Sequence, residues 1–244
     1  MKTMIGVMGS VAGYHAEASD LAYRLGRAIA EQDCIIVTGA CPGLPYDAVR
    51  GAKDAGGMTV GVSPGHNFAE HTIKYNSPSD GFDVIIYTGS GLMGREITGV
   101  RSCDIVVLTG GRSGTLGEFA IAYDEGKIIG VLQGTGGLTD HIPHLVDVIQ
   151  KETGAQVIYD TDPQRLIDRL VELDAASRLE RRQNAVPELL AACALSTCNT
   201  MEKTEHAIAL MEQEVRLLEA NIADHRKRLE VLHDLVVMGP AERG

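Results

Sequence analysis

The chain has 244 residues, of which 44% are hydrophobic and only 4% aromatic, and it contains no tryptophan. This length allows one large α/β domain with an aliphatic core, or one domain with an appendage. The formal net charge of −11 argues against nucleic acid as a partner, because phosphate backbones are held by basic patches. No apolar run is long enough to span a membrane and no secretory signal precedes the first strand, so we expect a cytoplasmic protein.

Strand and helix patterns alternate over residues 1–174 at the spacing of βαβ units. The predicted strands are short and apolar on both faces, which is typical of a parallel sheet covered by helices on both sides. We therefore predict a Rossmann-like, doubly wound α/β domain over residues 1–174. The predicted strands are 4–8, 34–38, 58–62, 83–87, 104–109, 127–132 and 155–159, and the predicted helices are 15–31, 47–55, 93–102, 115–124 and 162–173.

Between the third and fourth predicted strands, a stretch rich in His, Asn, Ser and Pro predicts a loop that ends near Gly81. The loop lies on the ligand side of the predicted sheet and is a candidate lid. We interpret its two histidines, His66 and His71, as solvated side chains rather than as ligands.

Residues 175–244 differ from the first domain and predict a helical extension. Residues 174–185 favour a charged helix, Val186-Pro187 a break, residues 188–195 a second helix and residues 201–237 a long third one. The long helix carries a heptad seam, which indicates a coiled-coil oligomerisation arm or a helix folded back on its own domain. The seam consists of Ile208, Met211, Val215, Leu218, Ile222, His225, Leu229, Leu232 and Val236.

Glycine-rich turns follow several predicted strands at their C-terminal ends, the edge where open α/β sheets bind ligands. The turn over residues 110–114 joins a buried strand to a helix that begins near Thr115. Its glycines permit positive φ angles, and the free N–H groups at the helix start attract an anion. Glu118 lies one turn inside the helix. This arrangement predicts a phosphate site with a carboxylate beside it.

The candidate site therefore combines three strand-end turns with the start of one helix. Neither a metal nor a cofactor is predicted, because the five cysteines lack the paired spacing of a metal site or a disulfide framework. The candidate phosphate- and nucleotide-binding residues are Gly9, Ser10, Gly39, Gly43, Gly110, Gly111, Arg112, Ser113, Gly114 and Thr115, and the candidate catalytic residues are Glu118 and Arg95.

These motifs resemble those of the LOG (LONELY GUY) family, often labelled lysine decarboxylase-like. Residues 109–118 read Thr-Gly-Gly-Arg-Ser-Gly-Thr-Leu-Gly-Glu and are similar to the family turn P-G-G-x-G-T-x-x-E. Met93-Gly94-Arg95-Glu96 is similar to M-x-x-R-K, and residues 38–46 are similar to G-G-G-x-x-G-L-M-G. Gly9-Ser10 looks like the family's first nucleotide-contacting turn. The resemblance covers residues 1–174.

The chain departs from the LOG motifs at three points. The glycine-rich turn is one residue longer and has Thr109 in the place of proline, the spacing before Arg95 is one residue shorter, and Glu96 stands where the family has lysine. Both glycine-rich turns look closer to the molybdenum-cofactor carrier-like branch. The fold implied by the resemblance is unaffected by these departures, whereas the activity depends on them.

The resemblance implies a phosphoribohydrolase that cleaves the N-glycosidic bond of a nucleoside 5′-monophosphate, releasing the base and ribose 5-phosphate. Glu118 would stabilise the oxocarbenium-like centre or activate water, and Arg95 would orient Glu118 or bind the phosphate or ribose. LOG-like domains usually form homodimers, so a dimer or a larger homo-oligomer is implied. The alternative is a non-catalytic protein that binds or carries a nucleotide or molybdenum cofactor. Structural roles, in the helix dipole for Glu118 and an ion pair for Arg95, also stay open.

Overall fold

Seven parallel strands form one sheet, which the computed structural model places at the centre of residues 1–179. The order of the strands is β4-β3-β2-β1-β5-β6-β7, so the chain builds outward from β1 in one direction and from β5 in the other. This topology confirms the predicted Rossmann-like α/β fold. The strands are β1 (Met4–Gly9), β2 (Ile35–Thr38), β3 (Met58–Ser63), β4 (Val84–Tyr87), β5 (Ile105–Thr109), β6 (Ile128–Leu132) and β7 (Gln156–Asp160).

Six helices cover the two faces of the sheet. They are α1 (Ala16–Glu31), α2 (Leu44–Asp54), α3 (Gly91–Arg101), α4 (Ser113–Asp124), α5 (Ile142–Ile149) and α6 (Pro163–Leu195). Side chains from α1, α2 and α6 pack on one face, and side chains from α3, α4 and α5 pack on the other. Neighbouring residues of β1 show the alternation: Val7 belongs to the first cluster and Met8 to the second, because successive strand side chains point to opposite faces.

The structure describes residues 1–195, 208–220, 222–223 and 226–227. By its contacts the chain forms two compact units, residues 1–179 and 180–244. Residues 208–220 are helical, and the seam residues Ile208 and Val215 are each about half exposed. His225, Leu229, Leu232 and Val236 lie outside the described residues, so the heptad seam stays a prediction. Among the described residues, no helix combines the length and the apolarity that a membrane span requires.

The predicted division of the C-terminal region into separate helices is wrong between residues 163 and 195. Helix α6 runs without interruption from Pro163 to Leu195, through both the end predicted at residue 173 and the break predicted at Val186-Pro187. Residues 174–186 contain neither Gly nor Pro to end a helix. A proline inside a helix removes one backbone hydrogen bond, but it does not have to end the helix.

Three short elements were absent from the sequence prediction. Helix α5 and a 3₁₀ turn at Gly137–Asp140 lie between β6 and β7, and one π-helical turn at Glu70–Lys74 lies within the predicted loop. The π turn buries His71 completely, so the interpretation of this histidine as a solvated side chain is wrong. Its ring nitrogens lie 2.9 Å from Ser63 Oγ and 2.9 Å from the Pro78 carbonyl oxygen, which gives it a structural role in holding the loop.

Candidate functional site

A pocket of about 240 Å³ lies at the C-terminal edge of the sheet, where β1 and β5 meet and the strand order changes direction. This switch point is where open α/β sheets bind ligands. Five segments line the pocket: the end of β1 with the turn after it, the turn after β2, the start of α2, helix α3 and the start of α4. The sequence-predicted residues in its lining are Gly9, Ser10, Gly39, Arg95, Arg112, Ser113, Gly114, Thr115 and Glu118.

The remaining predicted residues, Gly43, Gly110 and Gly111, do not line the pocket but support it. Gly110 and Gly111 have φ angles of +60° and +107°, which L side chains rarely adopt. The Gly111 N–H donates to Ser10 Oγ at 2.7 Å, and the Gly110 N–H donates to Thr135 Oγ1 at 2.8 Å. A β-carbon on Gly43 would lie 2.3 Å from the Ser10 carbonyl oxygen. The amides of Gly110 and Gly111 are therefore already engaged in joining the turns.

The free N–H groups of the glycine-rich turn begin at helix α4. Its N-cap residue is Arg112, whose side chain makes no capping hydrogen bond. The N–H groups of Ser113, Gly114 and Thr115 form the first turn, where no intrahelical acceptor exists. By contrast, the first turn of α1 is capped by His15 Nδ1, which accepts the Ala18 N–H at 3.1 Å. An uncapped helix start that opens into a pocket is a natural anion site.

Arg95 enters the pocket from α3 and lies directly on the backbone of Gly39. A β-carbon on Gly39 would lie 1.3 Å from Arg95 Nη1, so only glycine at residue 39 leaves room for the guanidinium group. Arg95 Nε is buried without a hydrogen-bond partner. Among the described residues, Arg95 forms no ion pair within 4.0 Å. The guanidinium group is therefore placed in the pocket but is not neutralised by a close carboxylate.

Two buried carboxyl groups share the pocket with Arg95. Glu118 is 6% exposed and Glu96 is 7% exposed. Burial raises the pKa of Glu118 to about 7, with Arg95 acting against the rise and Glu96 adding to it. Burial also raises the pKa of Glu96, again against the effect of Arg95. Within the described part of the chain neither carboxyl group takes part in a hydrogen bond. Buried polar groups are usually hydrogen-bonded, so these two carboxyl groups are candidates for contact with a ligand.

Sequence reasoning missed two ionisable pocket residues, Glu96 and Cys41. Burial raises the pKa of the Cys41 thiol, Arg95 lowers it and Glu118 raises it further, so the thiol contacts the same charges. Cys41 lies inside the glycine-rich turn after β2, and Glu96 is adjacent to the predicted Arg95. Both positions were therefore visible as neighbours of motif residues. Among the described residues, no group of three or more His, Cys, Asp or Glu side chains is arranged to hold a metal ion.

The sequence of the domain that carries this pocket matches one protein family. Residues 2–167 match the model of the SLOG cluster4 family. The chain belongs to the SLOG cluster4 family. An uncharacterized protein of Archaeoglobus fulgidus is 34% identical to it over 134 residues, which are 54% of this chain and 82% of the relative.

Several solved structures are similar to this SLOG cluster4 protein, and the alignments cover nearly the whole length of each solved chain. The protein TM1055 is 25% identical, with a TM-score of 0.61, covering 70% of this chain and 99% of its own. The molybdenum cofactor binding protein of the phototrophic bacterium Rippkaea orientalis is 30% identical, with a TM-score of 0.59, covering 71% and 98%. The molybdenum cofactor carrier protein of Chlamydomonas reinhardtii is 29% identical, with a TM-score of 0.59, covering 72% and 99%. The LOG-like resemblance is thus confirmed at the level of the SLOG family.

Proposed function

We propose that this SLOG cluster4 protein hydrolyses the N-glycosidic bond of a nucleoside 5′-monophosphate, releasing the free base and ribose 5-phosphate. One observation carries the proposal: Arg95, Glu96 and Glu118 converge in a pocket beside the uncapped start of α4. Arg95 Nε is buried without a hydrogen-bond partner, and the Glu96 and Glu118 carboxyl groups have none among the described residues, which is uncommon for buried polar groups. A phosphorylated, hydroxyl-bearing ligand supplies the missing partners.

The phosphate of the substrate binds to the N–H groups of Ser113, Gly114 and Thr115, where the helix dipole favours negative charge. The Thr115 side chain, which is almost fully buried, adds a hydroxyl donor. This contact places the ribose next to Glu118 on the following turn of α4. Since the amides of Gly110 and Gly111 are engaged elsewhere, the phosphate contacts come from α4 alone rather than from the whole glycine-rich turn.

Departure of the base leaves positive charge on the anomeric carbon, as in glycoside hydrolysis. The Glu118 carboxylate stabilises this charge and accepts a proton from the attacking water, and the departing base takes up one proton, so that OH joins the ribose and H joins the base. A pKa of about 7 matches this task, because the carboxyl group exchanges its proton near neutral pH. Arg95 opposes the rise in that pKa and orients the carboxylate or the ribose hydroxyls.

A second candidate function is binding or carriage of a molybdenum-cofactor-type ligand without turnover. The observation that favours it is the similarity to the binding protein of Rippkaea orientalis and the carrier protein of Chlamydomonas reinhardtii. The same uncapped helix start serves this ligand as an anion site. In that case Glu118 contributes to recognition and not to a chemical step.

The test is incubation of purified protein with a panel of nucleoside 5′-monophosphates, with chromatography of the released base. Glu118→Gln and Arg95→Ala are expected to abolish release. Glu125→Gln is the matched control, because Glu125 follows α4, far along the helix from the pocket, and bonds to Arg101. Binding without release, seen as a raised melting temperature, favours the carrier function. If the protein neither releases base from the nucleotides nor binds them, the nucleotide proposal is contradicted.

We also propose that the domain formed by residues 1–174 is a homodimer and that residues 175–244 form a separate oligomerisation arm. Helix α3 supports the dimer because it buries Glu96, Gly99 and Val100 while exposing apolar side chains. Exposed apolar surface of this kind marks interaction sites in soluble domains. The exposed apolar side chains on α3 and on the edge strand β4 are Val84, Ile86, Leu92, Met93 and Ile97.

Sedimentation of the full chain separates the two proposed contacts. Met93→Asp is expected to halve the particle mass if α3 forms the dimer, since a charge on an apolar interface is costly. Val148→Asp on α5 is the matched control, because Val148 is 63% exposed and Met93 is 71% exposed. An unchanged mass in Met93→Asp would leave the assembly to the C-terminal arm, and a monomeric wild type would contradict both contacts.

A further inference from the structure

Glu96 belongs to α3, and its carboxyl group lies against the first two turns of α4. A β-carbon on Gly114 would lie 3.2 Å from Glu96 Oε1, and one on Gly117 would lie 3.1 Å from Oε2. Glycine is a poor helix former, so two glycines in the first two turns of α4 need a reason. The reason is room for the Glu96 carboxyl group, which any larger side chain at these positions would crowd.

The same turn of α4 provides the anion site. Gly114 lies beside Glu96 Oε1 and is also one of the residues whose N–H groups have no intrahelical acceptor. A phosphate bound at these N–H groups therefore lies next to the Glu96 carboxyl group. Two negative charges this close repel more strongly among partly buried groups than in bulk water, because the local dielectric constant is lower. An ionised Glu96 and a bound phosphate are incompatible unless one of them takes up a proton.

The other charges around Glu96 do not remove this conflict. Arg95 follows the same helix into the pocket, yet it forms no ion pair within 4.0 Å among the described residues. Glu118 on α4 adds a second carboxyl group, and the Cys41 thiol after β2 is held neutral by burial. Arg112 lines the pocket as a second cation, but it is exposed to solvent. The phosphate and the two carboxyl groups thus face one partly buried guanidinium group, that of Arg95.

We propose that a phosphate group enters this pocket together with a proton that the Glu96 carboxyl group takes up from solvent. The protonated carboxyl group of Glu96 then donates an O–H···O hydrogen bond to the phosphate, which removes the repulsion between these two groups. This inference rests on the phosphate site of the proposed function and adds to it a proton-dependent selector, the Glu96 carboxyl group. Burial already favours the neutral carboxyl, since it raises the pKa of Glu96.

The test is isothermal titration of the full chain with adenosine 5′-monophosphate in buffers of different ionisation enthalpy, which counts the protons taken up. We expect Glu96→Gln to take up about one proton fewer than the wild type. Each proton coupled to binding changes the affinity about tenfold per pH unit above the carboxyl pKa. The wild-type affinity should therefore fall more steeply between pH 6.5 and 8.5 than that of Glu96→Gln.

Two further variants make the titration specific. Glu125→Gln makes the same acid-to-amide change outside the pocket and is expected to match the wild type. The second ionisation of the phosphate itself is common to all variants and cancels in the comparison. If Glu118→Gln alone loses the proton uptake, the proton belongs to Glu118 and the proposal is overturned. The proposal also fails if Glu96→Gln, with an unchanged melting temperature, keeps the wild-type uptake and pH slope.

Inorganic phosphate as a second probe separates this proposal from the proposed function. If adenosine monophosphate and other nucleotides do not bind, but inorganic phosphate binds with an uptake that needs Glu96, the nucleotide function fails and the selector stands. If nucleotides bind and are hydrolysed without any Glu96-dependent proton uptake, the function stands and the selector fails. Binding of neither probe by the wild type between pH 6 and 8 overturns both.

Discussion

Two clusters of buried charge lie at opposite ends of the same sheet and are built in opposite ways. At the N-terminal ends of the strands, Arg178 binds Asp174 at 2.7 Å and Asp104 at 2.8 Å. Thr3 Oγ1 donates to Asp174 and the Met4 N–H donates to Asp104, so both carboxylates have close partners. At the C-terminal ends, the pocket acids and Arg95 form no ion pair within 4.0 Å among the described residues.

We propose that the paired charges at one end serve the fold and that the unpaired charges at the other end serve a ligand. A buried charge is tolerated when an opposite charge lies close to it, as Arg178 does beside Asp174. In the pocket, Glu118 has no ion pair within 4.0 Å among the described residues, although it is also buried: Glu118 is 6% exposed and Asp174 is 2% exposed. Removing an acid should therefore destabilise the fold at one end of the sheet and stabilise it at the other.

The largest effect is expected from Asp174→Asn. This change leaves the Arg178 guanidinium group without its closest carboxylate, and breaking a buried pair costs about 3 kcal/mol. Denaturant titration of the free energy of unfolding checks the value. Asp124→Asn is the control, because its pair with Lys151 is exposed and is expected to contribute less than about 1 kcal/mol. Equal losses in both variants would remove the contrast.

Glu118→Gln should have the opposite sign. The folded-state pKa of about 7 exceeds the ordinary value of 4.5, so the folded protein holds a proton that the unfolded chain releases. Wild-type stability therefore falls as the pH rises from 4.5 to 7, by up to roughly 3 kcal/mol. The glutamine variant avoids this loss and should be more stable than the wild type at pH 8, with little difference at pH 4. Melting curves at the two pH values check it, and a destabilised variant at pH 8 would contradict it.

Gly39→Ala tests whether the placement of Arg95 matters for binding. The new methyl group has to displace the guanidinium group, which is the far end of a flexible side chain, so stability should change by less than about 1 kcal/mol. Nucleotide affinity, measured by titration calorimetry, is expected to fall at least about tenfold, the size of one lost charged contact. Gly99→Ala on α3 is the control, since its methyl group meets only Met8 Cε at 3.7 Å.

The smallest effect is expected from Thr3→Val, in the cluster around Asp174. It removes the 3.0 Å hydrogen bond to Asp174 but leaves the contact with Arg178, so the loss should be about 1 kcal/mol. Thr98→Val, at an exposed position of α3, serves as the comparison and is expected within about 0.5 kcal/mol of the wild type. A neutral Thr3→Val would mean that the hydrogen bond from Thr3 to Asp174 adds nothing to the stability of the fold.

The sequence predicted the fold well because the relevant signals are local. Each strand is a short apolar run and each helix between strands has a polar face, so alternation alone indicates a doubly wound sheet. Helix α6 was divided wrongly because Pro187 was given the weight of a helix end, whereas one proline does not have to end a helix. The burial of His71 depends on Ser63 and Pro78, which no local pattern connects to it.

The motifs of the candidate site were predictable from the sequence, but the contacts that each of its residues makes were not. The glycine-rich turn marked the proposed anion site, yet the sequence does not reveal that the Gly111 N–H donates to Ser10 Oγ, 101 residues away. Glu96 was seen only as a departure from a motif. Its position over Gly114 and Gly117 depends on how α3 packs against α4, a tertiary contact that sequence spacing does not fix.

The hydrogen bonds from Gly111 to Ser10 and from Gly110 to Thr135 have a thermodynamic consequence for binding. They fasten the glycine-rich turn to two neighbouring strand-end loops before any ligand arrives. The conformational entropy of that turn is therefore lost during folding and not during association. A ligand meets a receptor surface that is already arranged, so the ligand-free and ligand-bound backbones of residues 109–115 should superimpose closely.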